Sequence, residues 1–441
     1  LPSLKKKIRS IDKHTLEVVL KSSKSLIVKV LGMLAGIGVS IFLGRSLGAS
    51  GVGIINLSNQ IINLLLIFSI LGFDRVIIRE VAISRENNNL LRTNEVMNTA
   101  FIINGITGIA CTAALIVFAD YISTNIFEIP DLKFPLIIAA LVFTPQIISR
   151  IISSGLIGYK KIWQSNLVDQ TLSLVVIGIL LAILWYWNYN ISVINVAIIY
   201  AIGRIFVTAT IATYWFFMRK SDSNSGKMGN FIGKEMMRNG LPLLMVSAAL
   251  LISTNADTIM LGWLSSSEEV GLYSIAVKIA LLTSFLLQIV VSSIAPKIAV
   301  MYKNGQIVEL QLLIQRVTSG LAIIGLLFLT TIILFGKEIL GIWGSEFVAA
   351  YPALIILSVG QFSNIASGPV GNILIMTNHE KIIRNITALT VLLNVILNLF
   401  LIGKYGSIGA ACATSFTTIL NMLICIYYVK TKTKISMFKI L

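Results

Sequence analysis

Long apolar stretches alternate with short polar ones from one end of this chain to the other. Twelve stand out, with cores near residues 25–44, 54–73, 96–119, 134–154, 166–187, 191–217, 241–262, 271–291, 317–335, 349–376, 386–402 and 407–429. Each approaches the roughly 20 residues an α-helix needs to cross about 30 Å of hydrocarbon. Backbone groups inside a bilayer have no water to bond, so the helix is the form these stretches take. The fourth, seventh and tenth are the weakest, because prolines or several polar groups interrupt them. The pattern predicts an all-α integral membrane protein with twelve transmembrane helices.

Basic residues test that count independently, since cytoplasmic loops retain Lys and Arg. With the N-terminus inside, only Arg45, Lys133, Lys337 and Lys404 fall in outer loops, and Lys29, Arg204 and Lys278 fall within spans; the remaining 28 of the 35 basic residues are cytoplasmic. Asp120, Glu128, Asp131, Glu268, Glu269, Glu338 and Glu346 all fall on the outer side. Both termini are therefore expected in the cytoplasm. The first apolar stretch is long and runs into a glycine turn, so it reads as an uncleaved span and not as a signal peptide.

Composition agrees. Of 441 residues, 56% are hydrophobic and 12% charged, whereas soluble domains carry about 25% charged residues. The net charge of +16 lies in short runs between apolar stretches. It forms no basic face interleaved with aromatics, so nucleic acid is not an expected partner. Cys111, Cys412 and Cys425 sit inside apolar segments, and His14 and His379 have no paired ligand spacing. Neither a metal site, a disulfide nor a cofactor is expected.

The two halves echo one another. "FLGRSLGASGVGI" ends the first span and "IMLGWLSSSEEVGLY" the seventh, with Gly44 and Gly262, Gly53 and Gly271, Leu43 and Leu261, and Val52 and Val270 each 218 apart. "LIGYKKI" at 156–162 is answered by "LIMTNHEKI" at 374–382, at offsets of 218 and 220. Several echoes at nearly one offset indicate duplication of a six-span unit. An even span number returns the chain to the same side, so parallel halves are expected: a bundle at 1–217, a cytoplasmic linker at 218–240 and a bundle at 241–441, pseudo-symmetric about a central cavity.

Charges within apolar spans are the first candidates for function, because they are costly there unless they face protein or a hydrated cavity. Arg204 lies near the middle of the sixth span, as a cavity-lining cation or a structural partner of a neighbouring helix. Lys29, about one turn into the first span, either lines a cavity or snorkels. Lys278 is eight residues into the eighth span. Asp257 is the one acid placed firmly in an apolar segment; it could pair with Lys278, titrate as an ion-coupling group, or cap a broken helix. Three cations and one acid give net positive potential, which favours an anionic substrate.

Amides gather on the same spans. Asn56, Asn59, Gln60 and Asn63 follow helical i, i+3, i+4, i+7 spacing, so they share one face. Gln361, Asn364, Ser367 and Asn372 enrich the tenth span. Such faces suit either a hydrated cavity that receives sugar hydroxyls or hydrogen-bonded helix contacts. After the second span, Asp74, Arg75, Arg79 and Glu80 read as a helix leaving the membrane, with Arg75 and Arg79 on one side. That helix is either a solvated end or a collar for phosphorylated headgroups. No G-x-x-x-x-G-K-S/T loop is present, and neither a Ser-His-Asp set nor paired carboxylates stand out, which argues against ATP-driven transport and against an enzyme.

"RSLGASGVG", "ILGFDRVIIREVA" and "GYKKIWQSN" resemble the polysaccharide biosynthesis transporters, the O-antigen repeat-unit flippases within the superfamily of multidrug and toxin extruders and the lipid II flippase. The resemblance implies two six-helix bundles in a V that move undecaprenyl-pyrophosphate-linked oligosaccharide from the inner to the outer leaflet by alternating access. It places the chain in a bacterial inner membrane, as a monomeric unit working with membrane lipids, a polysaccharide polymerase and a chain-length regulator. Arg45, Arg75 and Arg79 match the family's basic positions, although Trp263 stands where the repeat would place a second Arg45. An ion-coupled multidrug or metabolite antiporter of the same fold is the rival expectation; it would rely more on buried acids.

Overall fold

The computed structural model describes residues 13–187, 189, 191–220 and 229–437. The basic run at 1–12 and the linker's centre at 221–228 lie outside the described residues. Within the described residues the chain is almost wholly helical, without strands. In chain order the helices are α1 (Lys13–Ile70), α2 (Phe73–Glu86), α3 (Leu90–Tyr121), α4 (Lys133–Leu141), α5 (Phe143–Gly158), α6 (Ile162–Asn166), α7 (Ser173–Tyr186), α8 (Val193–Lys220), α9 (Gly233–Leu264), α10 (Ser267–Ala280), α11 (Leu282–Lys303), α12 (Ile307–Gly341), α13 (Tyr351–Ala366), α14 (Val370–Met376) and α15 (Glu380–Thr433).

Outward faces are apolar: Ile106, Ile109 and Val117 on α3, and Ile323, Leu327 and Leu334 on α12, are all exposed. A helix hydrophobic on the side that meets no protein has lipid as its solvent. Among the described residues, seven helices are long and apolar enough to cross a bilayer, or eight when α4 with its preceding turn and α5, bent by 46°, form one span. The chain is an integral membrane protein.

The interrupted stretches mark breaks. Between α4 and α5 the chain bends at Val142, and Pro145 sits in the first turn of α5, where a missing N–H costs no helical bond. Gly368 (φ 68°) and Pro369 separate α13 from α14. The seventh stretch instead continues through Pro242 as one helix, α9. Inside α1 and α15 the chain turns sharply at Gly48 (φ 67°, ψ −173°) and Gly406 (φ 53°, ψ −131°). Only glycine enters that backbone region without a Cβ clash. Each long helix is thus two arms.

Contacts define two compact units. One contains the described residues up to Val39 together with Ile61–Ile122 and Leu132–Ala248; the other contains Ser40–Gln60, Ser123–Asp131 and the chain from Ala249. Within the first, α2 packs on α3 and α5, and α5 on α8; within the second, α13 packs on α12 and α15. The repeat is visible in the backbone, since Lys160 (φ 61°) and Asn378 (φ 63°) hold the same left-handed conformation 218 residues apart. In the second unit the tail folds back onto α12: Ser436 N–H donates to Gln311 Oε1 at 2.9 Å and Gln315 Nε2 donates to the Ser436 carbonyl at 3.1 Å. Ile435 and Met437 are buried there among Leu310, Ile314, Leu374 and Val429.

Candidate functional site

Two polar clusters lie in the second unit. The first is a seam along Ser40–Gln60. After Gly48 turns the chain, the N–H of Ala49 donates to Glu346 Oε2 at 2.9 Å. After Gly406, the N–H of Ser407 donates to Glu269 Oε2 at 2.6 Å. Each carboxylate caps the positive end of a helical arm. Alongside, a Cβ on Gly53 would lie 1.7 Å from the Ser267 carbonyl oxygen, and one on Gly271 would lie 1.9 Å from that of Ala49. Positions 53 and 271, like 49 and 267, differ by 218, so one contact is made twice with the roles exchanged. Backbones approach this closely only where no side chain intervenes. Arg45, itself exposed, donates from Nε to the Ile342 carbonyl at 2.8 Å, and Trp343 Nε1 donates to Ser40 Oγ at 3.1 Å.

The second cluster surrounds Asp257 on α9. Its Oδ1 accepts from Asn398 Nδ2 at 2.6 Å, and its Oδ2 from the Tyr273 hydroxyl at 2.7 Å and Thr414 Oγ1 at 2.5 Å. Asn394 extends the network to Asn398 at 3.1 Å and to Thr414 at 3.3 Å. Neutral dipoles from α10 and both arms of α15 therefore hold this carboxylate. The pairing with Lys278 raised as one reading of the sequence is not among its described bonds. Asn398 is fully buried, and its side-chain oxygen has no hydrogen-bond partner among the described residues. An acid in an apolar interior is costly unless dipoles such as these hold it, which makes the network a candidate functional site. At the positions 218 earlier stand Val39, Ile55, Val176, Leu180 and Val196. The first half therefore carries no counterpart.

The other predicted residues are placed as follows. Lys29 on α1, Arg204 on α8 and Lys278 on α10 are half-buried. Asn56, Asn59 and Asn63 lie half-buried on the second arm of α1, with Asn59 Nδ2 donating to the carbonyl of Ile55 at 3.0 Å. Asn364 Nδ2 reaches Ser284 Oγ and Gln361 Oε1, both at 3.3 Å, and Ser284 Oγ donates to Gln361 Oε1 at 2.5 Å. This amide group joins α13 to α11. Arg75 and Arg79 are exposed on α2, and Arg79 bonds its neighbour Glu80 at 3.0 Å.

Sequence reasoning missed Tyr273, Asn394, Asn398 and Thr414. One signal was present: Asn394 and Asn398 are four apart within an apolar run, which places both on one helix face. The capping carboxylates Glu269 and Glu346 were read only as outer-loop charge.

Solved structures define the class. The fold matches an inward closed conformation of the lipid II flippase MurJ with a TM-score of 0.66, at 16% identity and covering 93% of this chain and 87% of that one. An inward-facing MATE multidrug resistance transporter of the MOP superfamily gives 0.73, at 13% identity, with coverage of 93% and 98%. The fold is that of these membrane transporters.

The family model described as polysaccharide biosynthesis protein matches residues 19–302, and the MatE model matches 242–400. The chain belongs to the polysaccharide biosynthesis protein family. Relatives include Agl15 of Haloferax volcanii, described as a low-salt glycan biosynthesis flippase, 28% identical over 39% of this chain and 37% of that protein. The chain thus matches little more than a third of Agl15's length. AglR of Haloferax volcanii, described as a flippase, is 24% identical over 88% of this chain and 78% of its own. A Shigella flexneri protein described as an O-antigen transporter is 23% identical over 87% of this chain and 90% of its own.

Proposed function

We propose that this protein is a flippase for undecaprenyl-pyrophosphate-linked oligosaccharide, an O-antigen or capsular repeat unit, carried from the cytoplasmic to the outer leaflet of a bacterial inner membrane by alternating access. The carrying observation is the combination of family membership with three half-buried cations, Lys29, Arg204 and Lys278, in spans that hold one acid. Dividing α1 and α15 at their glycine turns and joining the broken spans supports twelve crossings, six on each side of the linker.

In this reading Arg75 and Arg79 collect the diphosphate at the cytoplasmic surface. Lys29, Arg204 and Lys278 neutralise it within the passage, the amides of Asn56, Asn59, Asn63 and Asn364 meet sugar hydroxyls, and the isoprenoid stays in lipid. Arg45 serves at the outer end, and the Ser40–Gln60 seam parts when the headgroup is released. No bond to the cargo is made or broken. The transport unit is a monomer, served by a polymerase and a chain-length regulator that use the released repeat.

Asp257 is the coupling candidate: a monovalent cation held by its carboxylate and Asn398 would tie the second unit's packing to the ion gradient. That same network, with the MatE match over 242–400, supports the second reading, an ion-coupled antiporter of drugs or metabolites. Proteoliposomes loaded with lipid-linked glycan separate the two. Replacing Arg204 and Lys278 with Gln is expected to slow glycan transfer roughly tenfold or more, the scale of one lost charge-assisted contact. Unchanged transfer at normal expression would end the cationic-passage reading.

A further inference from the structure

Arg92, at the start of α3, stands among three carboxylates. Its guanidinium bonds Glu95 at 3.4 Å, lies 3.6 Å from Glu80 of α2, and donates to Glu235 in the first turn of α9. The chain entering α9 reaches the same surface. The N–H of Asn230 donates to Glu95 Oε1 at 3.3 Å and that of Ile232 to Thr99 Oγ1 at 3.1 Å. A Cβ on Gly229 would lie 2.3 Å from Glu95 Cγ. Two turns further, Gly240 presses on the break after α1: a Cβ on Gly240 would lie 2.5 Å from the Leu71 carbonyl oxygen, and one on Gly72 2.4 Å from that of Gly240. Pro242 follows, and its missing N–H leaves the Arg238 carbonyl without its helical donor.

The start of α9 and the chain entering it are therefore held to α3 by an ion pair and two hydrogen bonds. One guanidinium serves three carboxylates; Arg79 also holds Glu80, so loss of Arg92 leaves Glu95 and Glu235 facing one another without the cation they share. Arg92 is 25% exposed and Glu235 39% exposed, and ion pairs open to water are weak and breakable. The helical ladder is weakened just beyond the held segment. Lys234 and Arg238 on the same turns are exposed, and neither forms a described ion pair within the cluster.

We propose that Gly233–Leu241 is a releasable clamp, pinned to α2 and α3 by Arg92, with Pro242 as the point where α9 flexes when the pin opens. Release of the pin is a required step of the cargo cycle, and in that last clause the proposal rests on the transport reading above. The contacts define one conformation of the segment, and the single shared cation defines how it lets go.

Two measurements on the full chain in proteoliposomes test this. Hydrogen exchange needs no cargo: Glu235→Gln is expected to raise exchange across 233–241 roughly fivefold, Arg92→Gln more, and Glu235→Asp least, with α12 unchanged in all three. The second measurement replaces Cys111, Cys412 and Cys425 with Ser, and then Arg92 and Glu235 with Cys. Bridging the two thiols with a reducible thiol-reactive linker is expected to stop transfer of lipid-linked glycan, and reductant to restore it. Unchanged exchange in Glu235→Gln, or normal transfer by the cross-linked protein, overturns the clamp. If the unaltered chain moves no lipid-linked glycan, the transport reading fails and the exchange result alone decides the clamp.

Discussion

The hydroxyls of Ser50 and Ser267 lie 2.8 Å apart, between the two places where Gly53 and Gly271 meet opposing backbone carbonyls. In the transport reading proposed above, this contact parts when cargo is released outside. Cysteines at 50 and 267 are expected to form a disulfide readily and to block glycan transfer, with reductant restoring it. Non-reducing electrophoresis beside a vesicle assay checks both; a cross-linked protein with normal turnover would show that the seam stays shut throughout.

Gly53→Ala places a methyl group against the Ser267 backbone, where no rotamer change relieves it. A destabilisation of about 1–3 kcal/mol is expected. Gly105→Ala, in the middle of α3 where a Cβ meets nothing within 4 Å, is expected to stabilise by about 0.5–1 kcal/mol. Thermal unfolding in detergent of both variants reads the opposite signs, and equal shifts would remove the clash argument.

Glu346 and Glu269 cap the arms that follow Gly48 and Gly406. Replacing either with Ala leaves a helix start without its acceptor, at a cost of about 1 kcal/mol. The two losses should add, because the caps serve different helices. Melting temperatures of the single and double variants test this.

Asp257→Asn keeps the size of the side chain and removes its charge. Expression and folding should survive while the dependence of transport on an imposed sodium or proton gradient disappears. Tyr273→Phe, which deletes one donor and keeps the carboxylate, should weaken that dependence only partly. If Asp257→Asn responds to both gradients as the unaltered chain does, Asp257 is structural and coupling lies elsewhere.

Much of the fold was legible because a bilayer imposes one demand on every span. The breaks at Val142 and at Gly368–Pro369 fell in stretches already marked by proline and polar residues, and the offset of 218 that pairs Gly53 with Gly271 reappears as a reciprocal backbone contact. Asp257 was legible as a lone acid among apolar residues. Its partners were not: Asn398 and Thr414 lie 141 and 157 residues away, and Lys278, the neighbour that charge alone suggested, is not among its described bonds. Asn364 shows the same limit, since its spacing fits a cavity face as well as the bond it makes across to Ser284.

The sequence by itself determined that the chain is built of long apolar helices in a membrane and that acid is scarce among them, since both follow from the cost of exposing polar groups to hydrocarbon. Tertiary structure decided which helix faces meet. In a soluble protein the polar face of a helix announces its outer side, but here lipid and protein interior are equally apolar and the pattern cannot tell them apart. Only close packing resolves it, by setting Ala49 against Gly271 and closing Tyr273, Asn398 and Thr414 around Asp257.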